Sequence, residues 1–111
     1  MEKNAIQNAL MALKKSINNS NLSVNVANVL TKLVEILGVF YATKKEEIDN
    51  SIEYDPMKHR QVHLESQMTD YIVSINDAIK GKNDAFCIAN IIYKEINYDE
   101  KKGIFKRKRL I

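Results

Sequence analysis

Chemistry needs reactive side chains held close together, and three stretches of this chain could supply them. The first is His59-Arg60-Gln61-Val62-His63. Residues four apart share one face of a helix, so both imidazoles could bind one metal ion, with Asp55 or Gln67 a further turn away. The pattern is thin. It lacks the glutamate of a zincin helix, the chain has only these 2 histidines, and the paired Glu-x-x-His motifs of a helical di-iron centre are absent. Two surface histidines beside Arg60 explain the spacing without a metal, so neither a metal site nor a cofactor is expected.

The second stretch is the acidic run Glu46, Glu47, Asp49, Glu53 and Asp55. Holding Mg²⁺ for nucleotide hydrolysis takes carboxylates converging from two helices, and the next helix offers only Glu65 and Asp70. With Lys44 and Lys45 interleaved, a solvated charged face is expected instead. The third is Cys87, within Ala85-Phe86-Cys87-Ile88-Ala89 and far in sequence from either histidine. A buried small hydrophobe is expected there rather than a nucleophile. Gly38, Gly81 and Gly103 stand alone, which excludes a glycine loop for phosphate. Arg60 and His63 are too close for the motif of the helical ribonucleases. No enzymatic activity is expected.

Charge carries more information. Six of the 17 basic residues and none of the 14 acidic ones lie in residues 101–111, a local charge of +6. The rest of the chain holds 11 basic against 14 acidic residues, or −3. The run Lys106-Arg107-Lys108-Arg109, between Phe105 and Leu110-Ile111, could bind a phosphate backbone, anionic lipid or an acidic groove, or could serve only solubility. No helix gathers the Arg, Lys and Asn of a recognition helix, so sequence-specific DNA reading is not expected.

The elements that must position these residues read as helices. A chain of 111 residues, 45% hydrophobic and 28% charged, is of single-domain size and ordinary globular composition. One cysteine precludes an internal disulfide and suits a reducing compartment. Leu10–Leu13 is too short for a secretory signal, and Ile36–Ala42 is too short to cross a bilayer, so a cytoplasmic protein without a membrane span is expected.

Ile6, Leu10, Leu13 and Ile17 mark a one-sided helix over residues 3–18. Asn18–Asn21 reads as a turn, and Asn21 or Ser23 as the cap of a second helix that runs to about Tyr54. There Val26, Leu30, Leu33, Leu37 and Phe40 form a seam widened by Val29, Val34, Ile36 and Tyr41. Its polar residues from Asn25 to Glu35 fall on an arc of roughly 120°, so neighbours on several sides are expected. Asp55-Pro56 reads as the start of a third helix with Met57, Gln61, Leu64, Met68, Tyr71, Ile75 and Ala78 on one seam, closed by Gly81. Asn83-Asp84 caps a fourth to about Asn97, presenting Phe86, Ala89, Tyr93 and Ile96. Tyr98–Phe105 reads as a frayed basic tail or as a small hairpin.

The expected fold is therefore an all-α, up-and-down bundle of about four helices around the second, with one domain over residues 1–103 and a basic tail over 104–111. The expected function is a small non-enzymatic protein-binding module of adaptor, chaperone, inhibitor or immunity type, acting through helical faces. Surplus apolar surface on the second helix would be covered by a partner or by a homodimer. Ile48 and Ile52, at that helix's exposed end, and His59 and His63, at the facing turn, are the expected partner surface. The alternative is a nucleic-acid-associated accessory protein of phage or plasmid type that uses Lys106, Arg107, Lys108 and Arg109.

Overall fold

The computed structural model describes residues 4–51 and 58–109, with side chains through Asn97. Four helices follow in order: α1 (Ala5–Asn19), α2 (Val24–Asp49), α3 (His59–Ile79) and α4 (Ala85–Arg109). No strand occurs among the described residues, and the chain forms the all-α bundle that its periodicity implies.

Short polar side chains start three of the helices by accepting from backbone N–H groups that have no partner within the helix. Asn4 Oδ1 accepts from Ile6 and Gln7 at 2.9 and 3.2 Å. Ser23 Oγ accepts from Val26 at 3.3 Å, and Asp84 Oδ1 from Cys87 at 2.9 Å. The start of α3 differs. The sequence points to Pro56, but the helix begins at His59, after Lys58 in the left-handed region at φ 52° with no side-chain cap. Residues 52–57, including Asp55-Pro56, lie outside the described residues. The end of α3 follows the sequence closely. Gly81 sits at φ 79°, its N–H donates to Ala78 at 3.1 Å, and Lys82 N–H donates to Asp77 at 2.8 Å. These are the paired bonds of a Schellman turn, whose positive φ a glycine adopts without strain.

One core joins all four helices. α1 supplies Ile6, Leu10, Leu13 and Ile17, all four of its expected seam residues. α2 supplies Leu30, Leu33, Val34, Leu37, Phe40 and Tyr41, and α3 supplies Leu64, Met68, Tyr71, Ile75, Ala78 and Ile79. The apolar periodicity makes α2 alone central, but α3 shares that role. Each of α1 and α4 packs against both α2 and α3, and α1 and α4 do not touch among the described residues. The molecule measures 49 × 35 × 18 Å, so it is two helices deep.

α4 departs most from expectation. Its buried stripe is Ala85, Ala89, Ile92 and Ile96, while Phe86 is 50% exposed. Its backbone stays helical to Arg109, so neither the hairpin nor a non-helical tail is present over residues 98–109.

The surplus apolar surface expected on α2 is modest. Val26, Val29 and Ile36 pack partly buried against the core, and Val39 stands 69% exposed. With a mean hydropathy of 1.4 in its most apolar window, α2 is long and apolar enough to cross a membrane by length and composition, as core helices also are. Its outer arc nonetheless carries Asn25, Asn28, Lys32 and Glu35, all exposed. A lysine near the centre of a span costs about 2.5–3.5 kcal/mol, which favours the core role.

A long-range hydrogen bond locks α1 onto α2. Asn4 caps α1 through its Oδ1 and donates through Nδ2 to the Tyr41 hydroxyl at 2.8 Å. Tyr41 is 1% exposed, and no buried side-chain polar atom among the described residues lacks a partner. Leu37→Ala should lower unfolding free energy by about 2–5 kcal/mol in urea titration, and Leu33→Asp should leave the chain unfolded by circular dichroism. Asn4→Ala should cost about 1–2 kcal/mol, and less in a Tyr41→Phe background, because the hydroxyl that it strands is then absent.

Candidate functional site

The connection Lys80–Asp84, turned by Gly81, folds α4 back against α3. α4 meets the core through the small residues Ala85 and Ala89 and through Ile92 and Ile96. On the outer flank of this pair lies an open groove of about 760 Å³.

The two walls of the groove differ in chemistry. α3 contributes His63, Ser66, Gln67, Asp70, Tyr71 and Ser74, a mostly polar stripe beside the helix's buried seam. α4 contributes Ile88, Ile91, Ile92, Lys94 and Glu95. Ile92 is buried, Ile88 is partly buried against the core, and Ile91 remains 50% exposed. Gln67 Nε2 donates to the Tyr71 hydroxyl at 2.9 Å, which orients the phenol on the α3 wall. One side of the groove can therefore take apolar side chains while the other offers hydroxyls, a carboxylate and an imidazole. Nearby on α4, partial burial raises the Tyr93 phenol above its ordinary range.

The residues expected to bind a partner separate in the structure. His63 is exposed and lines the groove. His59 is exposed at the first position of α3 and is not part of that lining. Ile48 packs partly buried against the core, and Ile52 lies outside the described residues. Lys106, Arg107, Lys108 and Arg109 fall on the helical backbone at the end of α4. Ile91, Asp70 and Glu95 were not anticipated. The available signal was an isoleucine excess in α4: one buried stripe accommodates Ile92 and Ile96, which leaves Ile88 and Ile91 toward a flank.

Of the acidic run near the end of α2, Glu53 and Asp55 lie outside the described residues, while Glu47 and Asp49 pair with lysines of their own helix. Lys44 Nζ lies 3.6 Å from Glu47, and Lys45 Nζ lies 3.6 Å from Asp49. Such exposed pairs on one helix contribute about 0.3–0.5 kcal/mol each. Lys44 Nζ also stands 6.0 Å from the centre of the Phe40 ring, at the outer reach of a cation–π contact. Cys87, expected to be buried, is exposed. The alanines at 85 and 89 take the core positions, and a residue midway between them faces the other way.

Among the described residues, no group of three or more His, Cys, Asp and Glu side chains could hold a metal ion. Adding zinc or EDTA should accordingly leave the thermal midpoint unchanged, and His63→Ala should not alter that response. A zinc-dependent rise that His63→Ala removes would show that the two histidines are ligands after all. Compared with protein-family models, curated proteins and solved structures, the chain matches none.

Proposed function

We propose that this is a non-enzymatic, cytoplasmic protein-binding module that takes an amphipathic segment of another protein into the α3–α4 groove. One observation carries the reading: the groove sets three isoleucines of α4, with Ile91 half exposed, opposite Ser66, Asp70 and Ser74 of α3. A helix that is apolar on one side and polar on the other meets both walls at once, which is how helix-in-groove recognition works. Asp70 and Glu95 against Lys94 favour a partner segment with a cation on its polar side. Adaptors, chaperones and inhibitor or immunity proteins all operate by docking of this kind. The exposed thiol of Cys87 suits a reducing compartment.

The test uses amphipathic helical peptides selected against the intact protein from a display library. NMR titration should perturb the amides of Ile88, Ile91, Asp70 and Ser74 first. Ile91→Glu should weaken binding by about 30-fold, the loss expected for an interface anchor worth ~2 kcal/mol. Val73→Glu, at an exposed position on α3 outside the groove lining, should leave affinity unchanged. Binding that survives Ile91→Glu and disappears with Val73→Glu would place recognition elsewhere.

A further inference from the structure

The buried stripe of α4 runs Ala85, Ala89, Ile92, Ile96. Continued at the same three- and four-residue spacing, it falls on Asp99 or Glu100, then Gly103, then Lys106 or Arg107. None of these continues the apolar stripe, so α4 has no core register beyond Ile96. The backbone nevertheless remains helical for three further turns, to Arg109. That stretch contains Lys101, Lys102, Lys106, Arg107, Lys108 and Arg109, and no acid follows Glu100.

We propose that residues 98–109 form a second binding element, a helix that engages the phosphate backbone of duplex nucleic acid without sequence specificity. At ~100° per residue, the six cations occupy register positions all round the helix. A helix lying in the major groove has a phosphate strand on each flank, so cations at opposite register positions are both used. An anionic membrane presents its phosphates on one side and requires a broad apolar face. Here Tyr98 and Phe105, seven residues apart, share a single line and Ile104 stands off it, so no such face exists. With Asp99 and Glu100 the element carries +4 against −1 for the remainder of the chain, so the basic charge is concentrated at this end. The stretch has no Asn or Gln to read adenine edges, which accords with backbone binding.

The experiment is fluorescence anisotropy of the full chain with a labelled mixed-sequence duplex of about 20 base pairs. If about four of the cations neutralise phosphates, affinity should fall roughly 150-fold between ~50 and ~200 mM salt. Replacing all six basic residues by Gln should weaken binding at the lower salt by at least about 30-fold while leaving the thermal midpoint of the bundle unchanged. Replacing only the four lysines by Arg should retain the affinity. Parallel titrations use phosphatidylserine vesicles and polyglutamate, and both should bind less tightly than the duplex. No duplex binding at the lower salt, unchanged affinity in the Gln variant, or equal affinity for vesicles or polyglutamate would overturn the proposal.

Discussion

The structure depends on the burial of one apolar seam between α2 and α3. Leu30, Leu33 and Leu37 on α2 and Met68 and Ile75 on α3 are completely shielded from solvent. Every other helix gains its place from that pair, because α1 and α4 each rest on both members and, among the described residues, not on each other. Burial of this kind is non-directional and proportional to area, so it explains cohesion but not orientation. Orientation comes from a few directional bonds: Asn4 to Tyr41 sets α1 against α2, and the Gly81 turn sends α4 back along α3.

The same arrangement leaves room for function. α1 sits across the α2–α3 pair and does not close onto α4. No described element fills the outer flank of the α3–α4 pair, and the groove remains there with Ile91 half exposed. Small alanines let α4 approach the core at its first turns, while its later isoleucines serve both the core and the groove wall. The groove is thus a by-product of how four helices share two central ones. Its polar wall costs nothing in core stability, since Ser66 and Asp70 face solvent.

Much of this was legible in the sequence, and the misses have identifiable causes. The α1 seam, the buried centre of α2, the Ser23 cap and the Gly81 stop are all local patterns, and each appears where periodicity and capping chemistry put it. The register of α4 was legible only in part, because two overlapping stripes compete there. Ala89 and Ile96 are buried and Tyr93 packs partly buried against the core, as their spacing implies, but packing against two helices at once adds the smaller Ala85 and Ile92 and leaves the bulkier Phe86 half exposed. The extension of α4 through Gly103 was missed for a different reason. A helix-interior glycine costs about 1 kcal/mol, but the lysines, arginines and glutamate around it are good helix formers. His63 shares a helix face with His59 by its spacing, yet the structure sets it in a groove with residues of another helix, which spacing alone does not reveal. The Asn4–Tyr41 bond joins residues 37 apart in sequence and has no local signature.

The central claim is that α2 and α3 form the shared core and that α1 and α4 are wings upon it. Native-state hydrogen exchange measures this division most directly, since amides that exchange only through global unfolding identify the element that unfolds last. The slowest amides should lie in residues 30–41 of α2 and 64–79 of α3, with α1 and the early turns of α4 opening at lower free energy. If the amides of α1 or α4 were instead the last to exchange, while those around Leu33 and Met68 opened first, the shared-core description would be wrong.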